Sequence, residues 1–260
     1  MATRKVSLPG VDLEVFDGGS GAPLVFLHGA SGFNAGSPFV DALAARRRLI
    51  APSHPGFGGS SLPEWVEVPP DIAHIHLELL DGLGIDRAQP FDLVGCSLGG
   101  WIAAEMAVLI PARIRRLVLV GPVGVKTGPI DTLDIPDIYT LPAAAVDKCL
   151  YHEPARWKLD PSTMTDKELE VMVRNRETTA LLTWEPWMHN PKLRHRLHRV
   201  SAPTLFIRGE SDGLVSAEYL ARYAALVPGA TISTIAAAGH VPHIEQPEAF
   251  VRTVFDFLDA

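Results

Sequence analysis

With 260 residues, 47% of them apolar and 20% charged, the chain has material for one large core, and a disordered chain is excluded. A net charge of −7, with no basic run beyond Arg46-Arg47-Arg48, argues against a nucleic-acid partner, because phosphate binding needs clustered Lys and Arg. No apolar run approaches a membrane span, and two cysteines, Cys96 and Cys149, are too few for a disulfide framework, so a cytoplasmic protein without membrane partners is expected.

The first residues, Met1-Ala2-Thr3-Arg4-Lys5-Val6, carry two basic side chains but no apolar stretch after them, unlike a signal peptide. Val6–Leu8 and Val11–Phe16 read as short strands around a Pro9-Gly10 turn. The continuous apolar run Leu24–Leu27 reads as a strand buried on both faces, and it ends in His28-Gly29-Ala30-Ser31-Gly32. A helix over Pro38–Ala45 follows. The arginine triplet is read as its end, where cations favour the negative dipole terminus, and Arg48–Ala51 as the next strand.

Ser53-His54-Pro55-Gly56-Phe57-Gly58-Gly59-Ser60 is a glycine-dense loop. Asp71–Leu83 reads as a helix with Gly84 placed to cap it. Phe91–Cys96 is a buried strand running into a helix over Leu98–Leu109, with one serine between them, and Arg116–Val120 is the next strand. From Gly124 to Val200 the strand–helix alternation breaks. Helices are expected over Ala143–Tyr151 and Asp166–Ala180, in a stretch rich in Pro, Trp, His and charge. Alternation resumes with strand Thr204–Arg208, helix Ser216–Leu226, strand Thr231–Ile235 and helix Pro247–Leu258. The pattern implies a mostly parallel sheet with helices on both faces, and such sheets bind ligands beyond the carboxyl ends of their strands. His28, Ser97, Asp212 and His240 each follow an expected strand.

Gly95-x-Ser97-x-Gly99 has the spacing of a nucleophile elbow. The chain must reverse within about one residue, so the serine takes a strained backbone conformation and glycines on either side remove obstructing side chains. A serine hydroxyl needs a base, and the base an orienting acid. Asp212, in Arg208-Gly209-Glu210-Ser211-Asp212-Gly213, and His240, in Gly239-His240-Val241-Pro242, follow in that acid-then-base order. Glu210 competes with Asp212, and His243 with His240. The rival His243 is expected at the surface or a pocket rim.

These segments together resemble the α/β-hydrolase-fold serine hydrolases over essentially the whole chain. His28-Gly29 resembles the family's oxyanion loop, Pro55-Gly56-Phe57-Gly58-Gly59-Ser60 its Pro-Gly-x-Gly-x-Ser loop, and Gly239-His240 with Glu245-Gln246-Pro247 the segment around its histidine. Ser53 departs from the family, which usually has an acid there, and no acid follows the strand at Gly121-Pro122.

The resemblance implies an α/β-hydrolase fold: a mostly parallel eight-stranded sheet with helices on both faces, a core formed by residues 1–123 and 201–260, and a helical lid over residues 124–200. It implies a Ser97–His240–Asp212 triad with an oxyanion hole from the backbone N–H groups of Leu98 and Ala30, Ser31 being the alternative to Ala30. No cofactor or metal is expected. His28, Ser31, Trp101, Tyr139, Trp184, Trp187 and Val241 are candidates for the substrate pocket, with Ile138, Trp157 and Met188 as further apolar lid residues. Lys148, Arg156, Arg174 and Arg176 are expected at the surface.

The expected reaction is hydrolysis of small to medium carboxylic esters by a monomer or homodimer. Gly99-Gly100-Trp101 also resembles the relatives that cleave carbon–carbon bonds in ring-cleavage products, but those usually carry a tryptophan after the catalytic histidine, where Val241 stands here. Lactone or perhydrolase chemistry, and a ligand-sensing receptor with little turnover, remain alternatives. Serine at position 97 argues against the dehalogenases and epoxide hydrolases of the fold, which use Asp there.

Overall fold

The structure, a computed structural model, describes residues 3–85 and 89–260. Met1 and Ala2, the start of the segment read for a signal peptide, lie outside them. Eight strands, β1 (Arg4–Leu8), β2 (Val11–Gly18), β3 (Pro23–Leu27), β4 (Arg48–Pro52), β5 (Phe91–Cys96), β6 (Ile114–Val120), β7 (Thr204–Gly209) and β8 (Thr231–Ile235), form one sheet in the order β1-β2-β4-β3-β5-β6-β7-β8. β1 and β2 pair as a hairpin across the Pro9-Gly10 turn, and β2 pairs antiparallel with β4. Every other pairing is parallel.

The chain passes from β3 outward to β4 and then back across β3 to β5. The strand order therefore reverses between β3 and β5, and in open sheets of this kind ligands bind beyond the carboxyl ends at such a reversal. His28–Ser31 follow β3 on one side of the reversal, and Ser97 follows β5 on the other.

Nine helices are described: α1 (Pro38–Ala44), α2 (Pro69–Gly82), α3 (Leu98–Leu109), α4 (Ala143–Leu150), α5 (Pro154–Trp157), α6 (Asp166–Thr183), α7 (Ala217–Ala224), α8 (Pro242–Glu245) and α9 (Pro247–Leu258). The single-turn helices α5 and α8 carry too little periodicity to announce themselves in the sequence. The two faces of the sheet bury separate sets of side chains because strand residues alternate. Val25 and Leu27 of β3 pack with α2, α3 and α7, while Leu24 and Phe26 pack with α1 and α9. Strands covered on both sides have no polar face, which is why Leu24–Leu27 and Leu117–Val120 are continuous apolar runs.

Gly84, at φ +78°, ends α2 as expected. The Ile85 N–H reaches the Leu80 carbonyl at 2.9 Å and the Gly84 N–H the Asp81 carbonyl at 3.1 Å, which is a Schellman motif. The arginine triplet differs from its expected role. Arg46 and Arg47 follow α1 but pair with Asp259 at the far end of the chain, and Arg48 opens β4 and grips Asp17 at 2.9 Å. Specific carboxylates, more than the helix dipole, hold these cations.

Between β6 and β7, Gly124 forms an isolated bridge with His189, its N–H donating to the Met188 carbonyl and its carbonyl accepting from the Asn190 N–H. The segment containing α4, α5 and α6 thus leaves and rejoins the core at one place. Leu193, Leu197 and Val200, beyond that bridge, are buried in the main core.

Candidate active site

The elbow between β5 and α3 is built from backbone. Ser97 sits at φ 53° and ψ −114°, a conformation most side chains avoid. Its N–H donates to the Val120 carbonyl at 2.8 Å, which ties the turn to β6. A side chain at Gly95 would strike the Gly99 backbone and meet Ala103 Cβ at 2.8 Å, and one at Gly99 would strike the Leu27 and His28 carbonyls. The glycines of the motif are therefore demanded by close backbone approach at the start of a helix that is buried on nearly every side. The would-be Cβ of Gly29 lies 3.2 Å from Ser97 Cβ and 3.9 Å from Ser97 Oγ, so the loop after β3 runs directly against the serine.

Asp212 and His240 arrive from the two strands farther along. The Asp212 carboxylate is held by its own loop: Oδ1 accepts the Leu214 N–H at 2.9 Å and the Val215 N–H at 2.8 Å. Oδ2 is left to face His240 Nδ1 at 3.0 Å, with both side chains almost fully buried. A carboxylate only accepts, so Nδ1 carries the proton and Nε2 of the neutral ring keeps its lone pair. That Nε2 is buried and has no hydrogen-bond partner among the described residues. Gly121, which follows β6, lies against the pair: a Cβ there would come within 3.1 Å of the His240 ring and 3.2 Å of Asp212 Oδ2. An acid at this strand end, the alternative position that the sequence leaves empty, has no room.

The rival residues separate cleanly. Glu210 is exposed, and among the described residues its carboxylate accepts only the Ala237 N–H at 3.2 Å. His243 is half-buried, with one side of its ring packed among Phe26, Phe39 and Phe250 at centroid distances of 6.1, 5.1 and 5.8 Å. Burial in this aromatic nest pushes its pKa down to about 3, and its Nδ1 has no partner among the described residues.

A profile of the alpha/beta hydrolase family matches residues 24–253. The chain belongs to the alpha/beta hydrolase family. A relative from Pseudomonas putida, a 2-hydroxy-6-oxo-2,4-heptadienoate hydrolase, is 30% identical over 277 residues, covering 99% of this chain and 96% of its own. Among solved structures, a meta-cleavage product hydrolase from Pseudomonas fluorescens superposes with a TM-score of 0.81 at 20% identity, covering 98% of this chain and 97% of that one. An esterase from Thermogutta terrifontis does so at 0.77 and 22% identity, over 100% and 98% of the two chains.

Within this hydrolase, the loops around the elbow are tied down by polar groups that sequence reasoning did not assign. Ser53 lacks the family's acid, and Glu14 of β2 takes its place: Oε2 accepts from the Gly59 N–H at 3.0 Å and from Ser53 Oγ at 3.3 Å. Glu245 bridges two segments, accepting the Gly239 N–H at 2.5 Å and the His152 N–H at 2.8 Å. Asn175 of α6 is buried and donates to the Ser31 carbonyl at 3.0 Å while accepting the Gly58 N–H at 3.1 Å. Glu245 was visible in its motif. Asn175 had no signal, because a single polar residue in a mostly polar helix looks like solvent surface.

The substrate-pocket candidates divide. His28 is 2% exposed with both ring nitrogens engaged, so it serves its own loop and offers no free edge to a ligand. Trp101 is buried under Gly124, with Nε1 donating to Glu105 Oε1 at 3.2 Å. Glu105 also accepts from Asn190 at 2.7 Å, and burial raises its pKa against these bonds.

Tyr139, Trp187 and Trp184 form an edge-to-face row with centroids 5.9 and 6.3 Å apart, and Trp184, at its outer end, is 61% exposed. Val241 is half-buried beside His240, and Ser31 is exposed with its carbonyl held by Asn175. Arg174 was expected to be free at the surface but donates to the Gly58 and Ser60 carbonyls at 3.0 and 2.5 Å. Arg176 lies over the Tyr139 ring. Among the described residues no helix is long and apolar enough to cross a membrane, and no group of three His, Cys, Asp or Glu is placed to hold a metal.

Proposed function

We propose that the protein is a serine hydrolase of small to medium carboxylic esters, acting through Ser97, His240 and Asp212. The observation that carries this is the buried Asp212–His240 pair, whose 3.0 Å bond fixes the proton on Nδ1 and leaves Nε2 unpartnered among the described residues. Nε2 takes the Ser97 proton as Oγ attacks the ester carbonyl. The N–H groups of Leu98, at the start of α3, and Ala30, in the loop against Ser97, receive the oxyanion, each worth about 3 kcal/mol of transition-state stabilisation. His240 then protonates the departing alcohol. Water, deprotonated by the same nitrogen, releases the acid from Ser97. The segment between Gly124 and Asn190 acts as the lid, with the Tyr139–Trp187 edge as its apolar surface toward substrate.

A second reading has specific support. Hydrolases of 2-hydroxy-6-oxo dienoates are prominent among the relatives at 29–32% identity. On that reading the same groups attack a ketone, the carbon–carbon bond breaks, its electron pair passes to the dienol fragment, and a proton is returned at carbon. Val241, in place of the tryptophan usual in that branch, favours the ester first.

Purified protein offered p-nitrophenyl acetate, p-nitrophenyl octanoate and a 2-hydroxy-6-oxo dienoate separates the readings. The proposal predicts many turnovers of an ester and slower loss of the dienoate chromophore. Rapid consumption of the dienoate alone reverses the order, and release of one equivalent or less from every substrate points to a receptor.

A further inference from the structure

Three buried histidines stand behind the loop that faces Ser97, and when all three rings are neutral their hydrogen bonds allow one arrangement of protons. The His54 backbone N–H donates to His28 Nε2 at 3.0 Å, so that nitrogen is an acceptor. The His28 proton is therefore on Nδ1, which donates to the Gly29 carbonyl at 2.7 Å. His54 Nε2 faces the His28 carbonyl at 2.9 Å and must carry its proton there. A neutral His54 then has its lone pair on Nδ1, which receives the Nε2–H of His76 at 2.8 Å. His76 belongs to α2, and its remaining Nδ1 is a buried lone pair without a partner among the described residues. Burial keeps all three rings neutral, pushing His28 to about 4 and His76 to about 3 and holding His54 well below its ordinary value.

The consequence lies in the peptide groups that the row grips. In a trans peptide the C=O and N–H point in opposite directions. The Gly29 carbonyl is drawn to His28 Nδ1 and to the Gly32 N–H at 3.1 Å, so the Ala30 N–H of the same peptide group is turned the other way. The preceding peptide group is fixed in turn by the bond from His54 to the His28 carbonyl.

We propose that His54 and His76 are positioning residues that aim the Ala30 N–H at the developing oxyanion, His76 acting by holding His54 in the tautomer that can donate to His28. This rests on the reading of Ser97 as nucleophile and Ala30 as an oxyanion donor. A His54 ring with its proton on Nδ1 would turn a lone pair toward the His28 carbonyl and push the loop away.

The test uses the whole protein and a fluorophosphonate, which reports the attack step without a natural substrate. Long-range proton–nitrogen NMR on the unmodified protein reads the tautomers directly: Nδ1–H on His28 and Nε2–H on His54 and His76 are expected. A His54 proton on Nδ1 overturns the proposal with no variant needed.

In labelling kinetics, His54→Phe is expected to lower the maximal rate of Ser97 modification about 100-fold, the loss of one oxyanion donor, with reagent affinity changed less than about threefold. His76→Leu should lower it about tenfold, on the order of a partly misaimed donor. His76→Gln, whose amide N–H replaces the imidazole donor, should regain most of that rate. If His54→Phe and His76→Leu both label at rates within about threefold of the unmodified protein, or lose only affinity, the relay is overturned. If the unmodified protein itself is not labelled, or Ser97→Ala is labelled equally, the nucleophile reading fails instead.

Discussion

Around Ser97 each unusual backbone position answers to a contact, whereas the Gly124–Asn190 segment is held by a few side chains that no local pattern announces. At the strand ends, Gly95 and Gly99 are required by backbone approach, Gly121 by the His240 ring, and Asp212 by two N–H groups of its own loop. In the segment, order comes from Asn175, Thr178 and Arg174 reaching from α6 to the Gly56–Ser60 and Ser31 backbones, and from the Gly124 bridge. The two regions carry different kinds of information. How the protein attacks is written in backbone geometry, which few residue types satisfy. What it attacks is written in side-chain surfaces, which many residues can build.

The largest expected effect breaks the first region. Asp212→Asn should leave the loop bonds to Leu214 and Val215 in place but favour the wrong His240 tautomer, lowering kcat by about 10⁴-fold. Glu210→Gln should change kcat less than about twofold, since surface substitutions away from the site are near neutral. The reverse outcome in steady-state assays would reassign the acid.

Gly121→Ala should follow in size. A methyl group 3.1 Å from the imidazole, at φ +48°, must move the His–Asp pair, and a displacement of that order costs about 10- to 100-fold in kcat. Unchanged kcat would mean that the pair has slack.

Acid stability probes the same side of the molecule without chemistry. Burial holds His28 near 4 and His76 and His243 near 3, against an ordinary value of 6.5. Between those values the unfolded chain binds protons that the folded chain refuses, so stability is complete above about pH 6.5 and is lost as pH falls toward 4, by up to about 1.4 kcal/mol per pH unit for each such histidine. Melting curves from about pH 7.5 to 4.5 should show a falling Tm, and His243→Leu should show a shallower fall. Parallel curves would contradict the burial of His243.

The smallest effects belong to the second region. Trp184→Ala, at an exposed position, should alter stability by less than about 0.5 kcal/mol. Trp187→Ala should raise KM for longer p-nitrophenyl esters more than it lowers kcat. Equal effects of the two tryptophans on KM would show that the row meets substrate along its whole length.

The central strands β3 to β7 were legible because buried parallel strands are largely apolar runs between turn signals, β1 and β2 because a Pro9-Gly10 turn separates them, and the helix near Leu98–Leu109 because an elbow and Pro111 bound it. The Asp212–His240 pair was legible because chain order and strand ends restrict such a carboxylate and imidazole to a few candidates. The aromatic neighbours of the half-buried His243 were not legible, since a lone histidine after a turn carries no mark of the three phenylalanines that pack against it. His54 and His76 are 22 residues apart in sequence, in a loop and a helix, and only the packing of α2 beneath the β4 loop brings them to 2.8 Å. Glu14 replacing the expected acid at position 53 is of the same kind: the carboxylate is supplied from a neighbouring strand, and strand neighbours are not written locally.

The central claim, that Ser97 is the nucleophile served by His240 and Asp212, is tested most directly by mass spectrometry of the protein after exposure to a fluorophosphonate. The account predicts a single adduct on the peptide containing Gly95-Cys96-Ser97-Leu98-Gly99, absent from Ser97→Ala and slowed by about 10⁴-fold in Asp212→Asn. An adduct on any other residue, or labelling of Ser97→Ala at the rate of the unmodified protein, would contradict it.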